Sequence, residues 1–161
     1  MTKLWQRLLM QQQDSALAPG ATAYRYWQLY IYTNNGDAYT AICEISLRAT
    51  PGGATLTNPS TPAIASSTYQ PYGASLSVDG KLGFNDVWIA SGAANQSIAY
   101  DLLTPVVLRE LAIFPSGNTS KRNPKNFVVR GSNVSMSGPW TDVKTFDEVN
   151  LSTTWKTYSL D

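Results

Sequence analysis

At 161 residues the chain has the length of one domain with a core of its own. Charged side chains make up 14 %, against about a quarter in ordinary domains, and the net charge is +1. That balance gives no reason to expect nucleic acid, the absence of histidine removes the commonest general base and transition-metal ligand, and the single cysteine excludes an internal disulfide or a cysteine-rich zinc site.

Residues 1–23 read as an amphipathic helix and a linker. In TKLWQRLLMQQQ, Leu4, Trp5, Leu8 and Leu9 form one apolar stripe, with Thr2 as N-cap. The stripe needs a cover, either the chain's own domain or other copies and particle proteins; a membrane surface is the least favoured partner. LWQRLLM is short and interrupted by Arg7, unlike a secretion signal, and no apolar run approaches the ~20 residues that span a bilayer. Synthesis and folding in a reducing cytoplasm follow as the expectation.

From Tyr24 to Asp161 the period is two. Tyr24–Tyr32 places Arg25, Trp27, Leu29 and Ile31 on one face and Tyr24, Tyr26, Gln28, Tyr30 and Tyr32 on the other. After the turn Asn34-Asn35-Gly36-Asp37, a strand over Ala41–Arg48 aligns Cys43, Ile45 and Leu47, which makes Cys43 a small buried hydrophobe. Further strands are expected at Ala63–Ser66, Gly73–Val78, Ser97–Leu102, Val106–Phe114, Asn126–Ser132, Thr141–Phe146 and Trp155–Leu160, each bounded by Gly, Pro, Asn or Ser. About nine short strands with no helical period between them predict an all-β, antiparallel jelly-roll sandwich preceded by the short N-terminal helix.

The segment ASLSVDGKLGFNDVW, residues 74–88, is the centre of this pattern. Leu76 and Val78 alternate with Ser75 and Ser77, then Asp79-Gly80 opens a loop that carries Asp86 and closes on Trp88. Two readings stand side by side: an Asp-Gly turn beside a solvated acid, or two carboxylates and loop carbonyls around a hard cation such as Ca²⁺.

In order along the chain, Ser66-Ser67, Asp79-Gly80, Asp86-Val87-Trp88, Tyr100-Asp101-Leu102, Leu111-Ala112-Ile113, Pro124, Phe127-Val128-Val129, Gly131-Ser132 and Trp140 resemble the discoidin, or coagulation factor 5/8 type C, family. This galactose-binding-like jelly roll includes carbohydrate-binding modules. Glu44-Ile45-Ser46-Leu47 is similar to the family's closing strand but precedes the Asp-Gly loop, so the strand order is rotated relative to the family. The segment YRYWQLYIYTNNGD beside it also resembles parts of bacteriophage tail and receptor-binding proteins. The resemblance implies a structural Ca²⁺ held by Asp79, a carbonyl near Lys81, Asp86 and Glu44. The loop is two residues longer than the family's usual form, and Asp86 stands where relatives carry Thr.

The resemblance also implies a ligand on loops at one end of the sandwich. Tyr69, Gln70 and Tyr72 form the expected aromatic platform, with Asn95 and Arg122 supplying hydrogen bonds from neighbouring loops. The alternative is that Tyr69 and Tyr72 only pack over the sandwich end. Trp27, Trp88, Trp140 and Trp155 are expected in the core, and no exposed apolar spikes of the membrane-binding kind are expected. No nucleophile elbow, phosphate loop or recognisable acid pair is present. The expected function is a non-catalytic carbohydrate-binding module recognising a cell-surface glycan, on a phage tail, another adhesive particle or an extracellular surface. A structural or assembly module of a multisubunit particle is the alternative.

Overall fold

The computed structural model describes residues 21–117 and 119–161; the expected N-terminal helix lies outside them. Ten strands carry the described chain: β1 Tyr24–Asn34, β2 Ala41–Ile42, β3 Glu44–Arg48, β4 Ala63–Ala65, β5 Trp88–Ile89, β6 Gln96–Val106, β7 Glu110–Phe114, β8 Pro124–Ser132, β9 Thr141–Asp147 and β10 Lys156–Ser159. They form a five-stranded sheet in the order β4-β6-β1-β8-β9, a three-stranded sheet β10-β7-β3, and a separate ladder of β2 with β5. Every pairing is antiparallel.

The two larger sheets share one core, which makes the molecule an all-β sandwich. Trp27, Leu29 and Ile31 of β1, Ile98 and Tyr100 of β6, and Phe127 and Val129 of β8 meet Ile45 and Leu47 of β3, Leu111 and Ile113 of β7, and Tyr158 of β10. The alternation in β1 therefore does what its pattern requires from Trp27 onward. Its first residues depart from it. A register shift between Tyr24 and Tyr26 turns Tyr24 inward, edge-on to Trp27 at 5.4 Å. Arg25 leaves the core side, and its Nε and Nη2 donate to the Asp101 carboxylate at 2.8 Å each.

Three expected strands are rebuilt. Gly73–Val78 is not a strand: Ala74–Val78 is a 3-10 helix. Ser77 Oγ donates to the Ala74 carbonyl at 2.7 Å and Leu76 N–H to the Gly73 carbonyl at 3.1 Å, so local serine bonding displaces a sheet ladder. Ser77 and Val78 are both fully buried, which a half-buried strand does not allow. Ala41–Arg48 divides at Cys43, because β2 pairs with β5 while β3 pairs with β7. Val106–Phe114 divides likewise, Val106 ending β6 and Glu110 beginning β7.

Trp27 and Trp88 are core residues as expected, but Trp155 is 40 % exposed, edge-on to Phe114 at 5.4 Å. Trp140 is half-buried on a loop and does not belong to the core. No helix among the described residues is long and apolar enough to cross a membrane.

Candidate functional site

One end of the sandwich is tied together by asparagines. In the turn after β1, Asn34 Oδ1 accepts from the Gly36 and Asp37 N–H groups at 2.9 and 3.3 Å, and its Nδ2 donates to the Asp37 and Tyr39 carbonyls. Gly36 has φ +100, a left-handed conformation that costs a glycine little. Asn35 ties this turn to two distant loops. Its Nδ2 donates to the carbonyls of Asn123 and Asn150 at 2.9 and 3.0 Å, and its backbone N–H donates to the Lys121 carbonyl. Asn123 and Asn150 are buried, and Asn150 Nδ2 donates to Tyr158 Oη at 2.9 Å. The loop holding Arg122 is thereby fixed against the turn holding Asp37.

On this base stands an aromatic and ionic cluster. Arg122 Nε reaches Asp37 Oδ1 at 3.1 Å, and its guanidinium lies over the Tyr39 ring at 5.4 Å from the centroid. Tyr39 meets Tyr69 edge-to-face, with centroids 5.2 Å apart. Tyr69 is 49 % exposed, so much of its ring faces solvent. Its backbone is held by the β2–β5 ladder: Tyr69 N–H donates to the Ile89 carbonyl at 2.8 Å, and Ile89 N–H to the Tyr72 carbonyl at 3.2 Å. The cluster presents a ring, a cation and a carboxylate, none of them on a regular strand.

The loop 79–86 lies beside the same ladder. Asp79 Oδ1 accepts from Lys81 N–H at 2.9 Å around Gly80 at φ +76, the expected Asp-Gly turn. Asp79 Oδ2 is buried with no hydrogen-bond partner. Lys81 Nζ stands 3.8 Å from it and 3.9 Å from Asp86 Oδ1. Glu44, 8 % exposed, accepts from Gly80 N–H through Oε2 at 3.2 Å. Burial pushes its carboxyl up to about 7; the Gly80 bond opposes this and the Asp79 charge adds to it. The carbonyls of Lys81, Gly83 and Asp86 face the Cys43 Sγ at 3.7, 3.8 and 3.0 Å. One thiol hydrogen cannot serve three carbonyls, so oxygens converge here in excess of donors. Burial, with the charges of Glu44, Asp79 and Asp86, pushes the thiol up to about 11.

Tested against a hard cation, this loop fits in its carbonyls and its orphaned Asp79 oxygen. Among the described residues no group of three or more His, Cys, Asp or Glu side chains is placed to hold a metal, so a cation here would depend on main-chain oxygen.

Of the expected ligand residues, Tyr69 and Arg122 share the cluster, and Gln70 is exposed beside Tyr69. Tyr72 is half-buried against Ala41, Cys43, Val87 and Ile89, so it supports the loop rather than fronting it. Asn95 is exposed on a neighbouring loop with φ +55, its N–H donating to the Tyr32 carbonyl at 3.3 Å, outside the ring-and-ion cluster. Asp37 and Tyr39 were not anticipated. The signal was their place in the turn and tail between β1 and β2, which must end where those strands end. Exposed apolar side chains do occur, against expectation, at Leu82 and Phe84 on the loop 79–86. No family model, curated protein or solved structure matches this chain.

Proposed function

We propose that the chain is a non-catalytic carbohydrate-binding module, a discoidin-like jelly roll with rotated strand order, recognising a cell-surface glycan at the loop end. Its place is a virion, as part of a phage tail, or another adhesive or extracellular surface. The observation that carries this reading is the Tyr69–Tyr39–Arg122–Asp37 cluster. A pyranose offers an apolar C–H face for an aromatic ring and adjacent hydroxyls for a planar cation and a carboxylate. A small number of placed polar groups beside an aromatic wall is the composition of a ligand site. Ca²⁺ in the loop 79–86, held on the unpaired Asp79 oxygen and main-chain carbonyls such as that of Lys81 rather than on Asp79, Asp86 and Glu44 together, would offset the charge of these carboxylates and hold the loop that leads into β5.

The test is isothermal titration of the full chain against monosaccharides and bacterial surface polysaccharides, with Ca²⁺ or with EDTA. Saturable binding lost in Tyr69→Ala supports the reading; silence across the panel overturns it. A second reading, an assembly module contacting other particle proteins or itself, is favoured by a different observation. Leu82 and Trp155 line one groove on the outer face of the three-stranded sheet, and Phe84 on the same loop is 64 % exposed. Sedimentation that shows a monomer, unchanged on deletion of residues 1–20, would refute its self-assembling form.

A further inference from the structure

At the pole of the sandwich opposite the asparagine-tied turn lies an open groove of about 410 Å³. Tyr24 begins β1 and Asn34 ends it, so the two poles stand roughly 33 Å apart at the rise of an extended strand. The groove opens directly onto the main core. Trp27 and Leu108, 1 % and 3 % exposed, belong to that core and line the groove, and Tyr24 and Leu160 are packed against it.

The walls are held in place by ring and main-chain contacts. Trp27 Nε1 donates to the Tyr24 carbonyl at 2.8 Å, and the Tyr24 ring lies so close over Gly131 that a Cβ there would meet it at 2.1 Å. Leu160 N–H donates to the Arg109 carbonyl at 2.8 Å. On the β9 side, the pairs Val129–Lys144 and Arg130–Asp142 leave Val143 over as the extra residue of a bulge. Val143 lines the groove and is 38 % exposed. An apolar groove that reaches buried core residues, with a wet valine on its rim, is surface that gains by being covered.

The path of the chain says what covers it. Ala21 and Thr22, the first described residues, themselves line the groove, so residues 1–20 join the fold at its lip. Pro19-Gly20, immediately before, is a sequence break at which the chain can reverse direction. Residues 10–20 extend to at most about 40 Å, ample for Leu4, Trp5, Leu8 and Leu9 to return to a groove that starts at Ala21. Such a tether holds the stripe at an effective concentration on the order of millimolar.

Charge points the same way. The charged residues lining the groove are Asp142 and Asp161. Their side chains stay 62 % and 42 % exposed although Arg130 and Arg109 bind them, and Lys144 Nζ adds a bond to the Asp161 carbonyl. The charges interleaved with the stripe are Lys3 and Arg7, both basic. Size is adequate too. An apolar cavity of about 150 Å³ holds one benzene ring, so this groove has room for the Trp5 indole together with leucine side chains.

We propose that this groove is the docking site of the chain's own N-terminal segment. Leu4, Trp5, Leu8 and Leu9 seat against Tyr24, Leu108, Val143 and Leu160 of the same copy, with Lys3 and Arg7 toward the Asp142 and Asp161 rim. The docked segment closes the core at the pole away from the loop cluster and leaves that cluster free. The inference is independent of what the loop end binds, and it gives the stripe a cover within the chain rather than on another copy.

The experiment is NMR on the isotope-labelled full chain. The expected result is a set of nuclear Overhauser contacts from the Trp5 indole to the Leu108 and Leu160 methyl groups, unchanged on dilution. Val143→Arg, at an exposed position, sets a cation in the groove against Lys3 and Arg7. It should abolish those contacts in a protein whose other resonances stay dispersed. Trp5→Ala should lower the melting temperature by about 4–8 °C, and by less than half as much in the Val143→Arg background. Absence of any contact between Trp5 and the groove residues overturns the proposal. So do contacts seen only between differently labelled copies, which would seat the stripe on a second copy, and so does a melting temperature unmoved by Trp5→Ala.

Discussion

Glu44→Gln probes the electrostatics of the loop 79–86 directly. In the folded chain the Glu44 carboxyl titrates at about 7, against about 4.3 in an unfolded chain. The folded state therefore holds this proton more tightly. The stabilisation is fully present below about pH 4.3 and is lost as pH rises through about 7. The whole difference corresponds to at most about 3–4 kcal/mol, and solvent reaching the exposed residues 80–85 reduces it to about 1–2 kcal/mol. Glutamine keeps an oxygen for the Gly80 N–H and carries no charge. Urea unfolding in EDTA, followed by tryptophan fluorescence, should show the wild type losing about 1–2 kcal/mol more than Glu44→Gln between about pH 4.5 and pH 8. That corresponds to roughly 2–8 °C in melting temperature for a chain of this size. Parallel pH profiles for the two proteins would refute the account of Glu44. Adding Ca²⁺ at the higher pH should stabilise the wild type and do less for the variant. A wild type indifferent to Ca²⁺ would remove the cation from the proposal while leaving the EDTA result standing.

Tyr69→Ala, which removes a half-exposed ring in one edge contact, should cost about 1 kcal/mol and abolish glycan binding. Tyr72→Ala, packed on the β2–β5 cluster, should cost about 2–4 kcal/mol; equal losses in thermal unfolding would contradict the roles given to the two rings. Ser77 Oγ and Tyr100 Oη lie 2.8 Å apart in the core. Ser77→Ala should cost about 1–3 kcal/mol by stranding the phenol, and adding Tyr100→Phe should recover part of it; additive losses in a double-mutant cycle would argue against a shared bond. Asn35→Ala removes the side-chain bonds from the Asp37 turn to the Asn123 and Asn150 loops while leaving the Asn35 N–H bond to the Lys121 carbonyl. It should cost about 2 kcal/mol and weaken any ligand held by Arg122, read by chemical denaturation and titration together.

The sandwich was legible wherever one face of a strand is buried and the other wet. In β1 the run Trp27, Leu29, Ile31 carries that signal against Tyr30 and Tyr32, whereas in β8 Phe127, Val128 and Val129 are all buried and only their apolar run between Asn126 and Arg130 marks the strand. The signal failed where that condition fails. Residues 41–47 are buried at every position, so alternation cannot show that the chain changes sheets at Cys43. Ser75 and Ser77 alternate with Leu76 and Val78 on paper, but a serine hydroxyl that bonds its own backbone satisfies the pattern equally well in a 3-10 turn. The two tryptophans misplaced from the core lie beside the start of strands, Trp140 between the exposed Pro139 and Thr141, and Trp155 between the exposed Thr154 and the half-buried Lys156. Ring size alone does not say which side of such a position is dry.

The candidate site was half legible for a related reason. Tyr69 and Arg122 stood out because their own loops are short and polar, and each could be read without its neighbours. Asp37 and Tyr39 could not, since what makes them part of a site is contact across the fold: Arg122 lies 85 residues from Asp37. The Asp79–Asp86 loop shows the complementary case. Its carboxylates are visible in sequence, while the inward carbonyls of Lys81, Gly83 and Asp86 are main-chain atoms with no residue signature. What joins the two regions is the β2–β5 ladder, with Cys43 against one loop and Ile89 bonded to the other. Order in the loop 79–86 thus reaches the Tyr69 platform through only a few residues of packed backbone, Val87 to Ile89. A short ladder of this kind has little stability of its own. Its geometry therefore depends on the loops that flank it as much as theirs depends on it.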